Sequence, residues 1–143
     1  MSPETLFSIA STIAVPGWII LILAPRRWPW LNAMPPLGIP LLLSAGYAAL
    51  VMRGFAQADG GFGSLAEVRA LLGDDTMLLA GWVHYLAFDL IAGSLAATAM
   101  DRGAVSRLIQ APILLLIFLL GPLGWLLAML LTGGLRVASN SGA

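Results

Sequence analysis

Apolar residues fall in four long blocks separated by short polar clusters, and the blocks have the length a bilayer requires. A hydrocarbon core about 30 Å thick takes roughly 20 residues of α-helix per crossing. The first span is expected over residues 6–24 and stops at Pro25-Arg26-Arg27-Trp28-Pro29-Trp30, a cationic and aromatic cluster suited to headgroup depth. The second covers 37–52, the shortest of the four, and ends at Arg53. The third covers 76–100 and the fourth 108–131, with a tight Asp101-Arg102-Gly103 turn between them. So short a turn makes them antiparallel neighbours.

The one long connection, Gly54 to Asp75, has a different pattern. A glycine-rich stretch, Ala58-Asp59-Gly60-Gly61-Phe62-Gly63, leads into Ser64-Leu65-Ala66-Glu67-Val68-Arg69-Ala70-Leu71-Leu72. Ser64 and Glu67 have capping-box spacing, and Leu65, Val68, Leu71 and Leu72 share one helical face. A short interfacial helix is therefore expected between spans two and three. Gly133-Gly134 and Ser139-Asn140-Ser141-Gly142-Ala143 read as a frayed tail. No repeat or second domain interrupts a single transmembrane domain over residues 1–143.

Composition agrees with the pattern: 59% of residues are hydrophobic and 10% charged, with a mean hydropathy of +0.93. These values belong to an all-α integral membrane protein. Glu4 stands where a secretory signal needs a basic residue, and the apolar run behind it is too long for a signal core, so that run is expected as a retained span. Seven acidic and seven basic residues cancel, and nothing marks a nucleic-acid surface. Cysteine is absent, which excludes disulfides, thiolate metal sites and Cys nucleophiles. Arg26, Arg27, Arg102 and Arg107 at one end, against Arg53, Arg69 and Arg136 at the other, give a four-against-three positive-inside signal for short turns in the cytoplasm and both termini outside. The chain is expected as a multi-pass protein of a bacterial inner membrane.

Candidate chemistry concentrates in span three, GWVHYLAFDL at 81–90, which carries the chain's one histidine. A regular helix puts Asp89 near the midplane and His84 about two turns closer to the long loop. An ionised Asp at that depth costs about 2.5–3.5 kcal/mol, so Asp89 should face protein or a wet cavity. At about 100° per residue, Trp82, Tyr85, Asp89, Gly93 and Ala96 share one stripe, whereas His84, Phe88, Ile91 and Leu95 lie on another. His84 and Asp89 are then about 140° apart and cannot form a dyad within one helix. Tyr85 and Asp89, four residues apart, can share a hydrogen bond. On span two, Ser44 and Tyr47 reach comparable depths and are the expected partners of Asp89 and His84 respectively.

The remaining features narrow the field. Pro16-Gly17-Trp18 and Gly121-Pro122-Leu123-Gly124 each interrupt a span; Pro122 frees the Phe118 carbonyl and permits a kink. Gly93 allows close helix approach. One histidine cannot build a multi-histidine iron site, no carboxylate or His stands one turn from Asp89 in a metal-ligand spacing, and no phosphate loop, nucleophile elbow or dinucleotide fingerprint occurs. Few intramembrane charges argue against ion transport by a monomer. What remains is proton transfer by Asp89, His84 and Tyr85 on an apolar substrate, with Trp82, Phe88, Tyr47 and Ser44 lining it, or simple binding of a lipid-like molecule. Trp82 and Tyr85 also suit a plain packing role, and Arg26, Arg27, Trp28 and Trp30 that of interface anchors.

LFSIASTIAVPGWIILILAPRRW at 6–28, FGSLAEVRALL at 62–72, GWVHYLAFDL at 81–90 with Gly93, and FLLGPLGWLLAMLL at 118–131 together resemble the abscisic-acid-deficient-4-like membrane proteins, whose plant member is associated with neoxanthin formation. The resemblance implies four helices, a carotenoid-like substrate and an isomerase-type, neoxanthin-synthase-like reaction in which an epoxide end group opens to an allenic alcohol. Such a step needs a base to take a proton from the polyene and an acid to protonate the epoxide oxygen. Asp89 and His84, with Tyr85, are the matching positions. After Gly93 the family commonly has Arg and Trp where this chain has Ser94-Leu95, which points to a different carotenoid or retinoid here.

Two functions follow as expectations. One is a membrane enzyme that rearranges a carotenoid or related isoprenoid with no metal or redox cofactor. The other is a non-catalytic pigment- or lipid-binding accessory subunit. Either is compatible with a homo-oligomer or with association with another membrane protein of the carotenoid pathway.

Overall fold

A computed structural model describes residues 1–141, with side chains through residue 134. Its regular elements are helical: α1 Pro3–Leu23, α2 Pro29–Asn32, a π-helical turn Met34–Gly38, α3 Ile39–Gly54, α4 Leu65–Leu71, α5 Asp75–Arg102 and α6 Arg107–Ser141. Among the described residues, four stretches are long and apolar enough to cross a bilayer: Pro3–Leu23, Pro29–Gly54, Asp75–Arg102 and Arg107–Gly134. The expected four-span order holds, with α4 as the short helix between spans two and three.

Helix starts have local causes. Pro3 opens α1, where a missing N–H costs nothing, and Ser2 Oγ accepts from Thr5 N at 3.2 Å. The Asp74 carboxylate accepts from Thr76 N and Met77 N at 2.9 and 3.0 Å and caps α5. Ser64 caps α4 by accepting from Glu67 N at 3.2 Å. Glu67 departs from capping-box geometry: its carboxylate accepts from Gly63 N at 3.0 Å, one residue before the cap. Gly60 turns the loop with φ +99, where a Cβ would strike the α4 backbone.

Two boundaries differ from expectation by more than a helical turn. Span two begins at Pro29, because the chain stays helical through Met34–Gly38. Pro35 and Pro36 cannot donate, and the ladder shifts register so that Gly38 N reaches Ala33 O at 3.3 Å, five residues back. At the other end α6 runs to Ser141, past the expected stop at Leu131. Gly133 and Gly134 keep helical backbone, tolerated at about 1 kcal/mol each against Ala. Of the expected tail, Gly142 and Ala143 lie outside the described residues.

Helix α5 is the hub, flanked by α1, α3 and α6. Leu90, Ala96 and Met100 are fully buried, packed with Trp18 and Leu21 of α1 and Leu114 and Ile117 of α6. A second cluster joins Ala10 and Ala14 of α1 and Leu43 of α3 to Val83 and Leu86. Helices α1 and α5 meet closely at Gly93, as anticipated: a Cβ there would come within 2.6 Å of the Trp18 ring. Outward, Ile19, Leu41, Leu115, Leu126 and Leu130 are exposed, an apolar surface suited to lipid.

The ends of α1, α5 and α6 are tied by polar groups. Arg26 Nε donates to Asp101 Oδ2 at 2.8 Å, and Gln110 Nε2 to Asp101 Oδ1 at 2.7 Å. Arg107 Nη2 donates to Ile22 O and Ala24 O at 2.9 and 3.1 Å, capping the C-terminus of α1. Arg26 is thus an interhelical tie, whereas Arg27 lies over the Trp28 ring.

Candidate functional site

The site grows from the break in α6. Leu120 and Gly121 leave helical geometry (φ −140, ψ 40 and φ 3, ψ −80), at the place where Pro122 removes a donor. The break frees the carbonyls of Phe118 and Leu119 within a membrane-spanning stretch, where an unpaired carbonyl is costly. Tyr85 answers this: its hydroxyl lies 3.1 Å from Phe118 O and 3.4 Å from Leu119 O and donates there. The hydroxyl's backbone hydrogen bonds thus go to the broken helix, while the expected side-chain approach of Tyr85 to Asp89 is also made. Asp89 lies beside the hydroxyl, near enough to be its electrostatic neighbour.

One turn on from Tyr85, Asp89 packs against Gly121. A Cβ at Gly121 would collide with Asp89 Oδ1 and stand 3.0 Å from Oδ2, so the missing side chain makes room for the carboxylate. Asp89 Oδ2 is buried and has no hydrogen-bond partner among the described residues. It borders a depression of about 450 Å³ lined by Phe88, Ala92, Gly121, Pro122 and Trp125. Phe88 and Leu95 at its rim are both 57% exposed, so the depression opens on the outer face of the bundle. An apolar molecule in the bilayer can reach it sideways.

His84 faces another way, as helical geometry requires. Its ring lies 5.5 Å from that of Tyr47 and stacks on Phe88 at 4.5 Å. The Tyr47–His84 approach expected from depth is formed. The ring borders a second depression, about 290 Å³, between α3, α5 and the α4 region, with Phe55, Phe62 and Leu72 around it. His84 makes no hydrogen bond among the described residues. Phe88 lies against His84 and also lines the Asp89 depression, which links the two sides.

The other candidates are placed differently. Ser44 is exposed on α3 and makes no hydrogen bond to Asp89; depth alone does not set the rotation of a helix about its axis. Trp82 turns toward α1, its Nε1 donating to Ser11 Oγ at 3.0 Å and its ring 5.1 Å from Phe7. It meets Tyr85 at 5.4 Å but does not line the Asp89 depression. Sequence reasoning missed Trp125, one turn beyond Pro122 on the face toward Asp89, and Trp18, 5.3 Å from Phe118. Trp125 was findable from Gly121-Pro122 by the i, i+3 rule; Trp18 required knowing that α1 and α6 both pack on α5.

Fold and site together define a four-span helical membrane protein whose central helix presents a carboxyl, with one oxygen buried and unpartnered among the described residues, beside a depression at a break in its neighbour. The chain belongs to the ABA4-like family, whose model, ABA DEFICIENT 4-like, matches residues 5–127 and so includes the α6 break. No curated protein and no solved structure matches the chain. Membership of this family points to a role in carotenoid and abscisic acid metabolism.

Proposed function

We propose that this chain is a membrane-embedded isomerase that rearranges a carotenoid or related isoprenoid by acid–base chemistry, in a bacterial inner membrane. The observation that carries the reading is Asp89 Oδ2, buried without a partner beside a depression open to the bilayer. A carboxyl so placed can hold a proton at an apolar substrate's polar end group or take one from it. His84, five residues away and about 7.5 Å along the helix axis, is the second proton-transfer group, reached through a substrate lying across Phe88. Tyr85 holds the broken segment of α6 in place and so positions Gly121 under Asp89.

In an epoxide opening, the carbon–oxygen bond breaks, oxygen gains a proton, and a polyene carbon loses one as the allene forms. Nothing is gained or lost overall. Expression in carotenoid-producing cells should therefore yield a new pigment of unchanged mass and altered retention, seen by chromatography with mass spectrometry. Asp89→Asn and His84→Ala should each abolish it while the protein still accumulates. An unaltered pigment profile across several carotenoid backgrounds would refute the reading.

A second reading has its own support: Asp89 and His84 border different depressions, and His84 forms no hydrogen bond. A pigment-binding accessory subunit would look the same. Purified protein carrying unmodified pigment, with conversion only when a second protein is added, would favour it.

A further inference from the structure

The α1–α3 side of the bundle has features that the acid–base reading does not use. There α1 and α3 splay apart and leave a groove of about 360 Å³, with Leu6 and Ile13 on one wall and Ala45, Gly46 and Ala49 on the other. A Cβ added at Gly46 would meet nothing within 4 Å, so the groove is open space rather than a tight helix seam. Its size lies in the range of about 300–1,000 Å³ found for small-molecule sites. Among its lining residues the charged one is Arg53, in the last turn of α3.

Arg53 also lines an adjoining depression of about 240 Å³ together with Thr76 and Pro3. Among the described residues its guanidinium has neither an ion pair nor a hydrogen bond, in contrast to Arg26 on Asp101 and Arg107 on the α1 carbonyls. An apolar trough thus runs at hydrocarbon depth and ends at an uncommitted cation beside a threonine, at the boundary where headgroups lie. Glu4 and Asp75 line a further depression with Trp82, which shares Pro3 and Leu79 with the Arg53 depression but not Arg53 itself.

We infer that this groove is a binding site for one anionic glycerophospholipid, an acyl chain lying along Ala45, Gly46 and Ala49 and the phosphate on Arg53. The charge argues against the other natural occupant, a second copy of the chain. Two-fold pairing about the membrane normal through this face brings two Arg53 guanidiniums to one depth, with no carboxylate in the groove to offset them.

The test is native mass spectrometry of the detergent-solubilised full chain with dioleoylphosphatidylglycerol or dioleoylphosphatidylcholine. One phosphatidylglycerol should be retained about tenfold more strongly than phosphatidylcholine. Arg53→Gln should erase that preference, Arg53→Lys should keep most of it, and Gly46→Leu should weaken both lipids. Equal retention of the two lipids by the unaltered chain overturns the inference, as does an Arg53→Gln variant that keeps the preference. Because the chain lacks cysteine, Gly46→Cys supplies an independent arm: efficient disulfide cross-linking between copies in a bilayer would assign the groove to a dimer and overturn the lipid site. None of these readouts depends on pigment conversion.

Discussion

At Gly121 the absence of one methyl group decides where the Asp89 carboxylate sits. In Gly121→Ala the new Cβ meets Asp89 Oδ1, the tip of a short side chain that can rotate, so the helices need not separate. Stability should fall by about 1 kcal/mol, the low end for an overpacked site. Conversion should fall about a hundredfold, because a displacement of about 1 Å in a reacting group costs that much. Thermal denaturation in detergent and pigment yield check the two parts, and Asp89→Ala should remove the stability loss in the double variant. Full conversion by Gly121→Ala would show that the position of Asp89 does not matter. The opposed faces of His84 and Asp89 were legible from 100° steps along one helix. What lay beyond each face was not: Ser44 has the right depth and the wrong rotation, while Gly121 carries no side chain to advertise a contact.

Among the elements, α6 departs most from regularity, and its break and the Tyr85 hydroxyl form one unit. Pro122→Ala returns an N–H that can bond Phe118 O and close the ladder. Tyr85 then loses its acceptor, and the floor of the depression shifts. The variant is expected to be at least as stable as the parent and much less active, a combination that simple misfolding cannot produce. Tyr85→Phe should cost about 0.6–1.7 kcal/mol in the parent, the range for hydrogen bonds between membrane helices, and close to nothing in the Pro122→Ala background. A double-mutant cycle measured by denaturation gives that coupling directly; additive losses would separate Tyr85 from the break. Gly121-Pro122 announced the interruption in the sequence, and Pro122 named the freed carbonyl, but the donor came from another helix 33 residues away in sequence. The start of span two was hidden for a related reason. Pro29 falls in the cluster that reads as headgroup depth and the pattern predicts the span only from residue 37, whereas α2 and the π-helical turn carry the helix through Pro29, Pro35 and Pro36.

Over the whole molecule, sidedness follows from which turns meet. Arg26 on Asp101 and Arg107 on the C-terminus of α1 bring the 24–33 and 103–106 connections to one end of the bundle. The 55–74 connection, with α4, joins the opposite ends of α3 and α5. The ion pair itself is about one-third exposed and contributes no more than about 1 kcal/mol. Its value is as a marker of depth. With no native cysteine, single replacements at exposed positions report sidedness without a background. In sealed vesicles, a membrane-impermeant maleimide should label Arg27→Cys and Arg102→Cys from one face, and Asp59→Cys and Ala66→Cys only from the other. Labelling of residues 27 and 102 from opposite faces would break the four-span arrangement. The expected outcome also puts Arg53 and the His84 depression at the end carrying α4, leaving Asp89 between the two polar boundaries.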